Sequence, residues 1–293
     1  MSAPFDDLTA LLATLPTADI VAPAGPGRLD EAAAWLAAWQ GKRPQLRRPI
    51  VALYVAAHEG SGEAGGAARA RLDALAAGKG AISSAARELG AGVEAFDLAV
   101  DQPSPDASIR PAMSERECAA TVAFGMEALA KGPDIVIVGE ITIGAERAAG
   151  ALAHALFGGA AADWSDDPEW VARALARATS QDAQTPLDLL RQVGGRETAA
   201  LAGAILAARV QKVPVLLDGY AAAAAGAVLQ ALRPDALDHC MAAEAGATPG
   251  HRRLLERLGK TPLLGLDLGR SGGLAGVAAL AVLRVACAAQ DQG

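Results

Sequence analysis

Asp134-Ile-Val-Ile-Val-Gly139-Glu140-Ile-Thr-Ile-Gly144-Ala-Glu-Arg-Ala-Ala-Gly-Ala-Leu-Ala-His154 is the stretch whose reading decides the fold. Its short β-branched run predicts a buried strand, and the Ala-rich segment after Gly144 predicts a helix. The turn between them carries Gly139, Glu140 and Gly144. In an open parallel α/β sheet, the carboxyl ends of strands and the helix N-termini beyond them form the ligand crevice. A carboxylate at such a tip is therefore a site candidate. The competing reading makes Glu140 a solvated turn residue, or a charge that stabilises the helix N-terminus.

Working outward, strand and helix signals alternate, the signature of a parallel α/β sheet. Strands are predicted at 50–56, 93–100, 213–217, 239–243 and 263–268 besides the opening one. Between them, helical spacing covers 5–15, 29–39, 67–77, 81–89, 115–130, 168–178, 186–193, 196–209, 220–232 and 251–258, and a terminal helix follows a Gly-rich loop. Ser114 is placed to cap the helix at 115. Three units are expected: an N-terminal helical segment over 1–48, an α/β domain over 49–268, and the Gly-rich loop with its helix over 269–293.

Of the 293 residues, 52% are hydrophobic but only 3% aromatic, so the core has to be built from Ala, Val, Leu and Ile at close backbone approach. A net charge of −7 argues against a general nucleic-acid binder, which needs clustered positive charge. Cys118, Cys240 and Cys287 are far apart and match no metal or redox spacing. They are expected as buried thiols in a reducing compartment, with no metal site. The start of the chain has no continuous apolar stretch, and the apolar segments 221–232 and 273–289 are too short or interrupted by Arg284 to span a bilayer. A cytoplasmic protein without membrane or nucleic-acid partners is the expectation.

Polar or glycine-bearing loops gather at strand ends and helix starts: His58-Glu59-Gly60, Gly139-Glu140, Gly194-Gly195-Arg196-Glu197, Asp218-Gly219 and Thr248-Pro249-Gly250-His251. Each alone is a weak signal. Their order carries more, together with Gly78-Lys-Gly-Ala-Ile-Ser-Ser, Pro111-Ala-Met-Ser, Pro214-Val-Leu-Leu-Asp-Gly219 and Leu255-Glu-Arg-Leu-Gly-Lys-Thr-Pro-Leu-Leu264. Along nearly the whole chain this order resembles the nicotinate-nucleotide:dimethylbenzimidazole phosphoribosyltransferase family of cobalamin biosynthesis. The resemblance implies a Rossmann-like parallel sheet flanked by helices, with a small helical subdomain and a homodimeric assembly. It also implies transfer of phosphoribose from nicotinate mononucleotide to a benzimidazole-type base, giving α-ribazole phosphate without a cofactor. The resemblance places Glu140 in the family's active site, and it is the candidate catalytic carboxylate here. His58, Glu59, Gly139, Gly144, Gly194, Gly195, Asp218, Gly219, His251 and Gly272 would bind substrate.

The departures from the family pattern fall on the chemistry. Where the family reads Gly-Glu-Met-Gly-Ile-Gly-Asn-Thr-Thr, this chain has Ala145-Glu146-Arg147 in place of Asn-Thr-Thr. Glu146 should repel a phosphate, and Arg147 would offset it only by turning inward. The family's Gly-Arg-Gly-Thr-Gly loop and its lysine are missing from a shortened Phe157–Trp170 segment. The late loop Gly269-Arg270-Ser271-Gly272-Gly273 has no carboxylate, and Gly272 stands where the family carries a glutamate taken as base. Two readings follow: a working transferase in which Glu140, Glu59 or His58 supplies the base, or a catalytically impaired paralogue acting as a ligand-binding or regulatory partner protein.

Overall fold

Apolar runs with no polar alternation form central strands only where both faces of the sheet are covered. In a computed structural model that describes residues 4–41, 43–63, 66–180, 185–246, 248–268 and 272–290, they do so. The strands are β1 (Pro49–Val55), β2 (Gly92–Asp97), β3 (Ile135–Glu140), β4 (Val215–Leu217) and β5 (Cys240–Ala242). They form one sheet in the order β2-β1-β3-β4-β5, with every pairing parallel. The predicted α/β class holds. Helices α1 (Asp6–Ala13), α2 (Arg28–Gln40), α3 (Ala67–Ala76), α4 (Ala81–Glu88), α5 (Glu115–Gly125) and α6 (Ala145–Phe157) occupy the first half. Then come α7 (Pro168–Thr179), α8 (Pro186–Val193), α9 (Arg196–Val210), α10 (Tyr220–Leu232), α11 (Pro249–Arg257) and α12 (Leu274–Ala289).

Alternate residues of each strand feed two cores. Ala52, Tyr54, Val136 and Val138 meet α5, α6, α9 and α10 on one face, while Val51, Leu53, Ile135 and Ile137 meet α2, α4 and α12 on the other. Small side chains set the spacing on the first face. A Cβ on Gly125 would overlap the Ala200 carbonyl, and one on Gly203 would overlap the Val122 carbonyl, so α5 and α9 touch backbone to backbone. The scarcity of aromatic residues is the compositional trace of such crossings. Ser114 caps α5 as predicted: its hydroxyl accepts from the Glu117 amide and the Glu117 carboxylate accepts from the Ser114 amide.

Three sequence expectations are corrected. The helix predicted over 115–130 is α-helical only to Gly125 and tightens to a 3₁₀ turn over Met126–Leu129, where the Tyr54 hydroxyl donates to the Gly125 carbonyl at 2.6 Å. No strand forms over 263–268: the segment makes a single bridge from Leu264 to Glu244. The amides of Leu266 and Leu268 donate to the Glu244 carboxylate instead, each at 3.0 Å, so a side chain takes the place of a strand partner. Of the three free cysteines, Cys118 and Cys240 are buried as expected but Cys287 is only partly so. Among the described residues, no helix is long and apolar enough to cross a membrane.

Candidate active site

The sheet order places its switch point between β1 and β3: from β1 the chain goes first to β2 on one side and then to β3 on the other. The crevice of an open α/β sheet opens at such a point, outside the carboxyl ends of the strands. Tyr54 pairs with Glu140 across β1 and β3, so the loop carrying His58 and the turn carrying Glu140 leave the sheet side by side. Thr142 ties them together, its hydroxyl oxygen accepting from the Ala56 amide at 3.1 Å. Gly144 begins α6 with φ 96°, and a Cβ there would sit 3.2 Å from Ser61 Cβ and 3.4 Å from His58 Cβ. A glycine is needed at that position both for the left-handed backbone and for the approach of the two loops.

Behind this turn lies a buried histidine–glutamate contact. His58 Nε2 is 3.1 Å from each carboxylate oxygen of Glu197, whose side chain is fully buried in the first turn of α9. Gly195 makes the fold-back possible, because a Cβ there would overlap the Glu197 carboxylate. Burial alone would raise the Glu197 pKa. The charge and hydrogen bond of His58, with donors from the Glu197 amide and the Thr198 hydroxyl, outweigh it and hold this carboxylate below its usual range.

Glu140 is pushed the other way. Burial, reinforced by the charges of Glu197 and Glu146 and opposed by the two donors of Thr142, raises its pKa to about 8. Its Oε2 is buried and has no hydrogen-bond partner among the described residues. Two neighbouring carboxylates with pKa values driven apart are the pattern of an acid–base site. One consequence is testable by variant kinetics. Glu197→Gln removes the charge that helps to hold the Glu140 proton, so the pH midpoint of any activity that depends on Glu140 is expected to fall below about 8. An unmoved midpoint would mean that burial alone sets it.

Glu140 faces a cleft of about 520 Å³ whose walls include Ser61, Thr142, Gly144, Trp164, Tyr220 and His251. Of the residues singled out in the sequence, Glu140, Gly144, Asp218, Gly219, His251 and Gly272 line this cleft together. Gly139 lies within β3, where its Cβ position is 3.4 Å from the Asp218 carbonyl oxygen. His58 stands behind the wall. Glu59, Gly194 and Gly195 are not in the lining: the Glu59 carboxylate pairs with Arg110 at 2.7 Å and accepts from the Asp106 amide. Asp218 and Glu244 line the cleft while bracing its rim. Asp218 accepts from the Gly276 amide at 2.7 Å, which pins the start of α12 to the tip of β4. Gly272 has φ 47°, and a Cβ there would press to 3.0 Å from Ile141 Cγ1, so a glutamate at this position would be strained. Positions 269–271 lie outside the described residues.

The shortened 157–170 segment forms one wall. Trp164 stacks on Phe157, donates to the Gly158 carbonyl at 2.7 Å and, through its own carbonyl, accepts from Tyr220 at 2.9 Å. Arg147 packs over the Trp170 ring, 4.9 Å from its centroid, with a guanidinium nitrogen 3.9 Å from Asp167. Sequence reasoning passed over Glu197 and Tyr220. Glu197 stood in the Gly194-Gly195-Arg196-Glu197 loop, where the glycines drew attention. Tyr220 follows Asp218-Gly219 directly, and its place at the cleft comes from tertiary contacts, the bond to the Trp164 carbonyl and the stacking on His251.

Sheet order, switch-point cleft and divergent carboxylates define an open parallel α/β protein with a cleft at the strand tips. A phosphoribosyltransferase family model (DBI_PRT) matches residues 13–292, and the chain belongs to this family. It is 43% identical over 316 residues to the nicotinate-nucleotide–dimethylbenzimidazole phosphoribosyltransferase of Sinorhizobium medicae, covering 97% of this chain and 94% of that one. Identity to the Brucella anthropi enzyme of the same name is also 43%, with the same coverage. The crystal structure of the Thermus thermophilus enzyme superposes with a TM-score of 0.81 at 29% identity, covering 97% of this chain and 94% of that one.

Proposed function

We propose that this chain carries out the glycosyl transfer for which its relatives are named, from a nicotinate nucleotide to a dimethylbenzimidazole-type base, with Glu140 as the proton acceptor. The observation that carries the proposal is the buried, unpartnered Oε2 of Glu140, on a carboxyl whose pKa of about 8 suits base catalysis near neutrality. One azole nitrogen attacks C1′ with its lone pair. The bond from C1′ to the pyridinium nitrogen breaks, and its electron pair neutralises that nitrogen as nicotinate leaves. The proton on the other azole nitrogen passes to Glu140 and on to solvent. Positive charge grows at C1′ along this path, and a carboxylate-rich cleft favours it. The product, α-ribazole phosphate, serves as the lower ligand of cobalamin. Gly144, Gly219, His251 and Gly272 would contact substrate, while His58 and Glu197 hold the electrostatic setting of Glu140.

The same proposal has the chain working as a homodimer in the cytoplasm, where its unpaired thiols would stay reduced. Chromatographic detection of nicotinate released from nicotinate mononucleotide with dimethylbenzimidazole tests the reaction, and light scattering tests the assembly. Turnover is expected. Calorimetric binding of the azole with no nicotinate release would put a binding or regulatory partner in place of the enzyme.

A further inference from the structure

We propose that the protein carries a second ligand site, which binds the carboxylate of a small apolar organic acid through Arg191 and Arg196. The site is a cavity of about 370 Å³ between the loop after β2, the last turn of α8 and the starts of α5 and α9. That volume falls in the range of small-molecule pockets. Among the described residues it shares no lining residue with the cleft at Glu140. Pro103, Pro105, Pro111 and Met113 supply an apolar wall, and the prolines fix much of its shape. The amides of Ala112 and Met113 donate to the Gln192 and Arg191 carbonyls at 3.2 and 2.9 Å, which holds this wall against the end of α8.

Each arginine is anchored by part of its guanidinium and leaves the rest free. Arg196 Nη1 donates to the Gln102 carbonyl at 2.5 Å and the Leu98 carbonyl at 3.4 Å, while its Nε and Nη2 make no hydrogen bond among the described residues. Arg191 Nε donates to Asp188 at 3.0 Å, and its Nη1 and Nη2 are likewise without a hydrogen-bond partner among the described residues. The carboxylate in the lining cannot take these donors with its Oε2. Glu117 Oε2 already accepts from the Ser114 amide and hydroxyl at 2.8 and 2.7 Å. Those two donors, with the Arg196 charge adding to them against some burial, hold Glu117 below its usual range. Free guanidinium edges beside an apolar wall call for an acceptor carried on an apolar body. A carboxylate fits the planar fork of an arginine in two parallel bonds. Asp188 and Glu117 offset part of the positive charge, so what remains suits one negative charge better than the two of a phosphate, which would also leave the prolines and Met113 uncovered.

Methionine-methyl NMR of the full chain reads this cavity directly, because Met113 lines it while Met126 and Met241 pack against the two cores. Met113→Leu assigns the signal. Titration with benzoate is expected to move the Met113 methyl with a Kd of about 1 mM and to leave those of Met126 and Met241 in place. Benzyl alcohol, the same ring without the charge, should bind about tenfold more weakly or worse, and Arg191→Gln should weaken benzoate by a similar factor. Arg191→Gln is the deciding variant, since Arg196 also braces the loop through the Leu98 and Gln102 carbonyls. Arg173→Gln, at an exposed position on α7, should change nothing. A Met113 signal that stays still at tens of millimolar benzoate overturns the proposal. So do equal affinity for benzyl alcohol, inorganic phosphate bound more tightly than benzoate, or benzoate binding that survives Arg191→Gln unchanged. The readout needs no turnover, so failure here is separate from failure of the glycosyl-transfer reading.

Discussion

Glu140→Gln is expected to lower the rate of nicotinate release by about 10²–10⁴, the usual contribution of a general base. The amide keeps the size of the side chain and loses the ability to take a proton from the azole. In the unmodified protein, kcat/KM should climb with pH toward a plateau above about 8, because only ionised Glu140 can act as base. The variant should lose that climb. Stability supplies a second readout of opposite sign. Glu140 has a folded pKa of about 8 against a reference value of 4.5, so its proton is bound more tightly in the folded state. The contribution of this carboxyl is therefore greatest below 4.5 and is lost as pH rises through about 8. Glu140→Gln should gain on the unmodified protein across that window, by roughly a few kcal/mol at most. Urea titrations at pH 5 and pH 9 would measure it. A variant that loses both activity and stability at pH 9 would show that Glu140 is a structural residue.

Gly203→Ala is the substitution expected to cost most in stability. Its new methyl would overlap the Val122 carbonyl, an obstruction made of backbone, which cannot swing aside as a side chain would. The helices α5 and α9 must part, and α9 is buried against α10 along its length. Overpacking of this kind costs about 1–3 kcal/mol and occasionally more. The displacement would also reach Glu197 at the start of α9, and with it the pair that holds His58. Denaturation of Gly203→Ala should show a midpoint well below that of Ala204→Gly, which opens a small void on the same helix. Equal midpoints would mean that the helix crossing tolerates separation.

Much of the fold is legible in the chain because its signals are local. Ile135 to Val138 reads as a buried strand from its β-branched run, and Ser114 with Glu117 announces a helix start three residues apart. The misreadings have a common physical origin in long-range hydrogen bonds. Nothing near Leu263 indicates that Glu244 will take the amides a strand would have paired. Nothing near Met126 reveals that a tyrosine 71 residues away from Gly125 will bond to the carbonyl where the helix tightens. Arg147 does line the cleft, but nothing in its own neighbourhood of sequence shows that Trp170, on a separate helix, will offer its guanidinium a ring face.

By itself, then, the chain determined the alternation of strand and helix, the small-residue core and the position of Glu140 at a strand tip, since these depend on neighbours in sequence. Tertiary structure decided what that carboxylate is. It brought Glu197 beside Glu140 and His58 beside Glu197 across 139 residues, took the two carboxylates largely out of water, and so drove the pKa values of two ordinary glutamates in opposite directions. A pKa depends on the field and the solvent at a point in space, and only the folded chain fixes which groups share that point.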